Sequence, residues 1–135
     1  MQKIRATSFV VKNNSILMIH RYSEGQEFYV LPGGSKEDNE SIEEATLREL
    51  KEETNLEGKI VKEVLDYTDE FSRNRIFLLE VNDGELKINE SAPEANRQNK
   101  QNKYSPEWVP VNKILFLTIW PLKTREFLFE YFKLI

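Results

Sequence analysis

The residues of this sequence best suited to chemistry are three glutamates in the stretch RELKEE, Glu49, Glu52 and Glu53. On a helix of about 100° per residue they share one face. Carboxylates one turn apart repel each other by about 0.2–0.5 kcal/mol per exposed pair. A divalent cation removes that repulsion, and oxygen ligands without imidazole or thiolate suit Mg²⁺ or Mn²⁺. The spacing therefore indicates a metal site.

The same glutamates have a simpler explanation, which the helix alone does not exclude. A Glu-rich helix is commonly a solvated face, here with Glu44 paired to Arg48 at i,i+4 spacing. The preceding residues favour the metal site, because Gly33 and Gly34 follow Pro32. Two glycines let the backbone turn sharply and approach a ligand.

Several elements must position this face. Ser41 stands three residues before Glu44, a capping box that predicts a helix beginning at Ile42. The final segment PLKTREFLFEYFKLI predicts a second, amphipathic helix opened by Pro121. Asp83-Gly84 predicts a hairpin to a further strand, ELKI. Other strand-like runs are ATSFVV, SILMIHR, FYVL, GKIVKEVLDYTDEF, RIFLLEVN and the edge-strand candidate YSPEWVPV.

Length and charge exclude several classes of protein. The 135 residues predict one domain spanning 1–135. A net charge of −4 and a pI near 5.2 argue against stable binding to nucleic acid or to an anionic membrane. The absence of cysteine excludes disulfides and thiolate sites and fits a cytoplasmic protein. The most apolar run, ILFLTIWPL, is too short to span a bilayer.

The stretch from residue 34 to residue 56 resembles the Nudix box of the MutT-like pyrophosphohydrolases. The matching positions are Gly34, Glu40, Arg48, Glu49, Leu50, Glu52, Glu53 and Leu56. The family has glycine where this chain has Asn55, and asparagine is the best non-glycine residue for the left-handed conformation of a helix end. The resemblance extends over about half of the chain. It implies an α/β fold, a Nudix-type α/β/α sandwich whose mixed curved β-sheet lies between the two helices.

The resemblance also implies an activity, the Mg²⁺- or Mn²⁺-dependent hydrolysis of a nucleoside diphosphate linked to another group. Carried over by position, Glu49, Glu52 and Glu53 are the metal ligands. Arg48 orients Glu49 through a salt bridge, and Glu40 joins the loop to the helix.

Substrate binding is expected from residues inside and outside the box. The resemblance implies that Gly33 and Gly34 let backbone groups approach the metal and the pyrophosphate. Four arginines are candidate phosphate partners, because a guanidinium chelates phosphate oxygens: Arg5, Arg21, Arg73 and Arg75. The only histidine, His20, is interpreted as a strand-end residue rather than a catalyst.

The sequence offers four glutamates as candidates for the general base. Family members use a box glutamate or one on a later loop, so the candidates are Glu49, Glu90, Glu94 and Glu107. We favour Glu94, because it lies in the long polar segment NESAPEANRQNKQNK, of a kind that is often mobile.

The substrate is predicted to be a small nucleotide, with a nucleoside triphosphate favoured. ADP-ribose-hydrolysing relatives often carry a proline shortly after the box, whereas the first one here after Leu56 is Pro93. The alternatives are an ADP-ribose or nucleotide-sugar pyrophosphatase and a nucleotide-binding module without turnover. Family members are often dimers, so a homodimer is an open alternative.

Overall fold

The computed structural model describes residues 2–89, 93, 95, 98–99 and 102–134. Its strands are β1 (Lys3–Phe9), β2 (Val11–Lys12), β3 (Ser15–Ser23), β4 (Gln26–Val30), β5 (Gly33–Ser35), β6 (Gly58–Thr68), β7 (Ser72–Val81) and β8 (Asn102–Pro110). Its helices are α1 (Ile42–Thr54) and α2 (Leu122–Tyr131), and a 3₁₀ helix covers Val111–Phe116.

These strands form two sheets. The first has the order β5-β1-β7-β6 and is mixed, because β1 runs parallel to β7 while the other neighbours are antiparallel. In the second, antiparallel sheet, β3 pairs with β2, β4 and β8. Pro106 and Pro110 lie in β8, which pairs with β3 alone among the described strands, as expected for an edge strand. The predicted single sheet is therefore divided in two, while the predicted mixed α/β class is observed.

The predicted start of α1 is confirmed at the level of single hydrogen bonds. Ser41 Oγ accepts from the Glu44 amide at 3.0 Å, and the Glu44 carboxylate accepts from the Ser41 amide at 2.9 Å. At the other end, Asn55 adopts φ 69° and ends the helix in the left-handed conformation. The capping box and Asn55 thus fix which residues of the acidic stretch are helical.

Buried side chains lie on both faces of the first sheet. Leu50 of α1 packs with Phe77 and Leu79 of β7 on one face. Phe9 of β1 and Leu128 of α2 belong to the larger cluster on the other face, which also contains residues of the second sheet. The two predicted helices therefore cover opposite faces of the first sheet.

The predicted hairpin at Asp83-Gly84 is wrong. Residues 82–89 form no strand and pack instead against the end of α1. The amides of Lys87 and Asn89 donate to the carbonyls of Thr54 and Glu52, at 3.2 and 2.8 Å. The last carbonyls of a helix lack partners within it, and this segment satisfies two of them.

Among the described residues, no helix combines the length and the apolar character needed to cross a membrane.

Candidate active site

A cleft of about 490 Å³ lies on the face of the first sheet opposite α1's apolar packing. That volume is in the range of small-molecule sites. Its lining combines acidic, basic and aromatic side chains with the backbone of two glycines. The residues that line it include Lys3, Arg5, Thr7, Arg21, Gly33, Gly34, Glu49, Glu53, Tyr67, Asn74, Tyr104, Trp120 and Thr124.

Two carboxylates of α1 reach this cleft past strand β5. Glu49 and Glu53 are only 7% and 6% exposed. Glu53 Oε1 accepts from the Gly33 amide at 3.2 Å. A Cβ atom on Gly34 would lie 2.4 Å from Glu49 Oε1, so glycine is needed for that carboxylate to keep its present position. Two buried carboxylates this close to a glycine strand are costly unless cations or donors compensate them.

Arg48 ties the helix to the loop before it. Its Nε and Nη2 donate to the two oxygens of Glu40 at 3.0 and 2.7 Å, a bidentate pair. Its Nη2 also donates to the Ser35 carbonyl at 3.1 Å, and its Nη1 to Glu49 Oε1 at 3.0 Å. These contacts are those expected of a residue that orients Glu49 and of a Glu40 that joins loop and helix.

The Glu40 pair makes stability depend on pH. The hydrogen bonds from Arg48 lower the pKa of Glu40 from 4.5 to about 2, and the same pair raises the pKa of Arg48. A carboxylate with a lowered pKa in the folded state stabilises the protein above its unfolded pKa, and this contribution disappears as the pH falls toward its folded pKa.

We therefore expect Glu40→Gln to be less stable than the parent at pH 7, by about 2 kcal/mol after allowance for partial solvation. The difference should shrink below about pH 4.5 and vanish near pH 2. Urea unfolding of both proteins across this range measures it, with Glu43→Gln on the exposed side of α1 as the control. A difference that is constant with pH would contradict the ion-pair explanation.

The donor set at the cleft fits a hard divalent cation. Glu49 and Glu53 offer carboxylate oxygens, and the missing side chain at Gly34 leaves space beside them. The third predicted ligand, Glu52, accepts from Arg48 Nη1 at 3.3 Å. In the described ranges, no three acidic or histidine side chains already stand in a metal-binding arrangement. The set of three ligands therefore stays a prediction.

Three basic side chains also line the cleft, Lys3 and Arg5 of β1 and Arg21 of β3. None of the three pairs with a carboxylate within the part of the chain that the structure describes. The Arg21 guanidinium stacks 4.1 Å from the Tyr104 ring and donates to Asn102 at 3.1 Å, while its buried Nε has no hydrogen-bond partner among the described residues. The positive charges of these side chains, which no carboxylate of the described residues neutralises, favour an anionic ligand.

The other two predicted phosphate partners do not reach the cleft. Arg73 forms a bidentate pair with Asp66 at 2.9 and 2.6 Å, and Arg75 pairs in the same way with Glu63 at 2.6 and 2.8 Å. Along β7 these arginines alternate with Asn74, which faces the cleft. They lie on the α1 side of the sheet because neighbouring strand residues point to opposite faces.

The candidates for the general base are distributed over different places. Glu49 lies in the cleft. Glu107 of β8 hydrogen-bonds to His20 Nδ1 at 2.9 Å, and His20 stacks on Tyr29 with ring centroids 4.3 Å apart. His20 lies inside β3 rather than at its end, so the predicted strand-end position is wrong. Glu90 and Glu94 lie outside the described residues.

Some cleft residues were not found from the sequence. Lys3 was missed, although its alternation with Arg5 and Thr7 on one strand face was a usable signal. Trp120, 54% exposed at the cleft, and Asn74 carried no local signal.

Comparisons with known proteins bear on the family and on the fold. A family model described as NUDIX domain matches residues 2–131. The chain is 37% identical over 100 residues to an ADP-ribose pyrophosphatase of Methanocaldococcus jannaschii. The alignment covers 68% of this chain and 59% of that relative, so the chain spans about three fifths of the relative's length.

Solved structures share the fold at low sequence identity. A MutT structure from a study of Aliivibrio salmonicida and Vibrio cholerae has a TM-score of 0.74 at 17% identity, with all of both chains covered. The Escherichia coli ORF135 protein has a TM-score of 0.70 at 19% identity, covering 98% of this chain and 90% of that one. An ADP-ribose pyrophosphatase of Streptococcus suis has a TM-score of 0.68 at 14% identity, covering 97% and 92%. These likenesses concern the fold.

Proposed function

The chain belongs to the Nudix hydrolase family, and on that premise we propose that it hydrolyses a pyrophosphate bond in a nucleoside diphosphate derivative with a divalent metal ion. The predicted family and the predicted α/β fold are confirmed by the matches. Nudix hydrolases act on small nucleotides and generally use divalent metals, which leaves the choice between Mg²⁺ and Mn²⁺ to experiment.

One observation supports the proposal most directly: acidic and basic side chains line the same cleft. Glu49 and Glu53 share it with Lys3, Arg5 and Arg21. A pyrophosphate carries clustered negative charge, so it needs cations around it and a metal that the glutamates hold. An acidic protein of net charge −4 gains affinity for an anionic substrate by this arrangement.

Glu49, Glu52 and Glu53 would hold the metal, as predicted from the box. When bound, the ion supplies charge neutralisation of the pyrophosphate and lowers the pKa of a coordinated water. Around it, Arg48 keeps Glu49 in place, and the Arg21 guanidinium offers its positive charge to the phosphates. Glu94 remains our proposed general base, with Glu49 as the alternative inside the cleft.

Two substrate classes fit the proposal. A nucleoside triphosphate is favoured by the number of cations in the cleft and by the missing proline after the box. ADP-ribose is supported by the relative from Methanocaldococcus jannaschii, which bears the name ADP-ribose pyrophosphatase. A binding module without turnover is less well supported, because Glu49, Glu52 and Glu53 are all present.

A panel of substrates tests the proposal. The purified protein is incubated with nucleoside triphosphates, ADP-ribose and diphosphate sugars, in Mg²⁺, in Mn²⁺ and in EDTA, and the phosphate-containing products are identified. We expect metal-dependent release of a nucleoside monophosphate, together with pyrophosphate from a triphosphate or ribose 5-phosphate from ADP-ribose. No hydrolysis of any nucleotide with either metal would refute the proposed activity.

A further inference from the structure

The floor of the cleft carries a row of polar side chains that the metal site does not use. The strand register places Ser35 of β5, Arg5 of β1, Asn74 of β7 and Tyr67 of β6 side by side across the first sheet. All four line the cleft. Thr7 of β1 pairs with Gly33, which lies beside the glutamates. Arg5 lies two residues from Thr7 along β1, so the row is about 6.7 Å from this end of the cleft.

The amide of Asn74 has a fixed orientation. Its Nδ2 donates to Asp69 Oδ2 at 3.1 Å and to the Ser72 carbonyl at 3.3 Å. A carboxylate and a carbonyl only accept hydrogen bonds, so the NH₂ group must point toward them. Asp69 is itself held, because it accepts from the amides of Phe71 and Ser72 at 2.9 and 2.8 Å. The Asn74 oxygen is therefore the atom left for the cleft, and it accepts from no donor in the described ranges.

The Arg5 guanidinium provides hydrogen-bond donors beside this acceptor. Arg5 is the parallel-strand partner of Asn74, and its guanidinium makes no ion pair among the described residues. On the other side, burial raises the pKa of Tyr67, which keeps its hydroxyl protonated. The row thus presents a charged donor fork next to a fixed acceptor.

These features disfavour a phosphate beside Arg5 and Asn74, because the Asn74 oxygen, backed by the Asp69 carboxylate, would face its negative charge. Lys3 and Arg21 are then the cations left for the pyrophosphate. A planar group that carries a carbonyl next to an N–H matches both partners. The aromatic side chains of Tyr104 and Trp120 also line the cleft, and they suit a flat ring.

We infer that Arg5 and Asn74 recognise the lactam edge of the substrate's nucleobase. The carbonyl of hypoxanthine, guanine or uracil accepts from Arg5, and the adjacent ring N–H donates to Asn74 Oδ1. Adenine and cytosine place an amino group where the carbonyl would be, so their donor meets the guanidinium. The inference rests on the proposed function and names its substrate class: nucleotides with an oxo base rather than an amino base.

Two matched pairs of substrates test it, ITP against ATP and UTP against CTP, since the members of each pair differ only at this edge. We expect kcat/KM to favour ITP and UTP by about tenfold or more. Asn74→Leu should bring both ratios close to one. Because Asn74 is buried and that variant can fail to fold, Arg5→Met, at a half-buried residue, gives the same test with less risk to folding.

Arg73→Met is the control, since its guanidinium pairs with Asp66 on the opposite face of the same sheet and should leave the ratios unchanged. Binding of IMP and AMP, and of UMP and CMP, followed by tryptophan fluorescence without metal, tests recognition apart from turnover. If no nucleotide is hydrolysed but IMP binds more tightly than AMP, the proposed activity is refuted and the inference about base recognition is supported. Equal ratios in the parent protein, or ratios unchanged in Asn74→Leu and Arg5→Met, would overturn the inference.

Discussion

Replacing Glu53 by glutamine is expected to lower kcat by about 10³-fold, equivalent to about 4 kcal/mol of transition-state stabilisation. Glu53 is 6% exposed and accepts from the Gly33 amide at 3.2 Å. Glutamine keeps the shape and can keep that hydrogen bond through its carbonyl oxygen. It removes the charge that a divalent cation requires, so the loss should come from metal binding rather than from folding.

Steady-state kinetics at several Mg²⁺ concentrations, with Mn²⁺ in parallel, measure this effect. Glu43→Gln is the matched control, because the same substitution then falls on an exposed residue of the same helix. Its rate should stay within about twofold of the parent, as usual for surface changes away from a site. A Glu53→Gln protein with the parent's rate and metal dependence would show that Glu53 is not a ligand.

Two adjacent glycines should give opposite results when each is replaced by alanine. At Gly34, the new Cβ atom would lie 2.4 Å from Glu49 Oε1, the end of a flexible side chain that can move away. At Gly33, it would lie 2.6 Å from the Ala6 carbonyl and 2.9 Å from Thr7 Cα, which are backbone atoms of β1. A carboxylate can rotate, whereas a paired strand cannot shift without losing its register.

We therefore expect Gly34→Ala to fold with a Tm close to the parent's and to lose about 10²-fold in kcat/KM, the cost of displacing a catalytic group by about 1 Å. Gly33→Ala should instead lose about 1–3 kcal/mol of stability, since overpacking strains the strand pair. Thermal unfolding and kinetics on both variants separate the two effects. An active Gly34→Ala protein would show that the position of Glu49 does not matter for turnover.

Local sequence was sufficient for the acidic helix and its immediate surroundings. Ser41 and Glu44 defined the start of α1, and Asn55 took the left-handed conformation at its end. The spacing of Glu49 and Glu53 placed both on the face that reaches the cleft. These features depend on the helical period and on hydrogen bonds within a few residues, so a sequence of this length encodes them directly.

The sheets were less predictable because their pairing depends on residues that are far apart in the chain. The segment after Val81 had a hairpin dipeptide, yet its amides found the free carbonyls at the end of α1, more than thirty positions earlier for the Asn89–Glu52 pair. A turn signal indicates that the chain can reverse, but the partner of the next segment is decided by groups elsewhere in the fold.

The sequence by itself determined the family, the α/β class and the placement of the acidic residues on one helix face, because these follow from residue types at fixed local spacing. Only the tertiary structure decided which cations line the cleft. Arg5 and Arg21 line the cleft, whereas Arg73 is paired with Asp66 on the other face. The difference depends on strand register and on which sheet face is covered by which helix, and both are set by contacts between residues far apart in the chain.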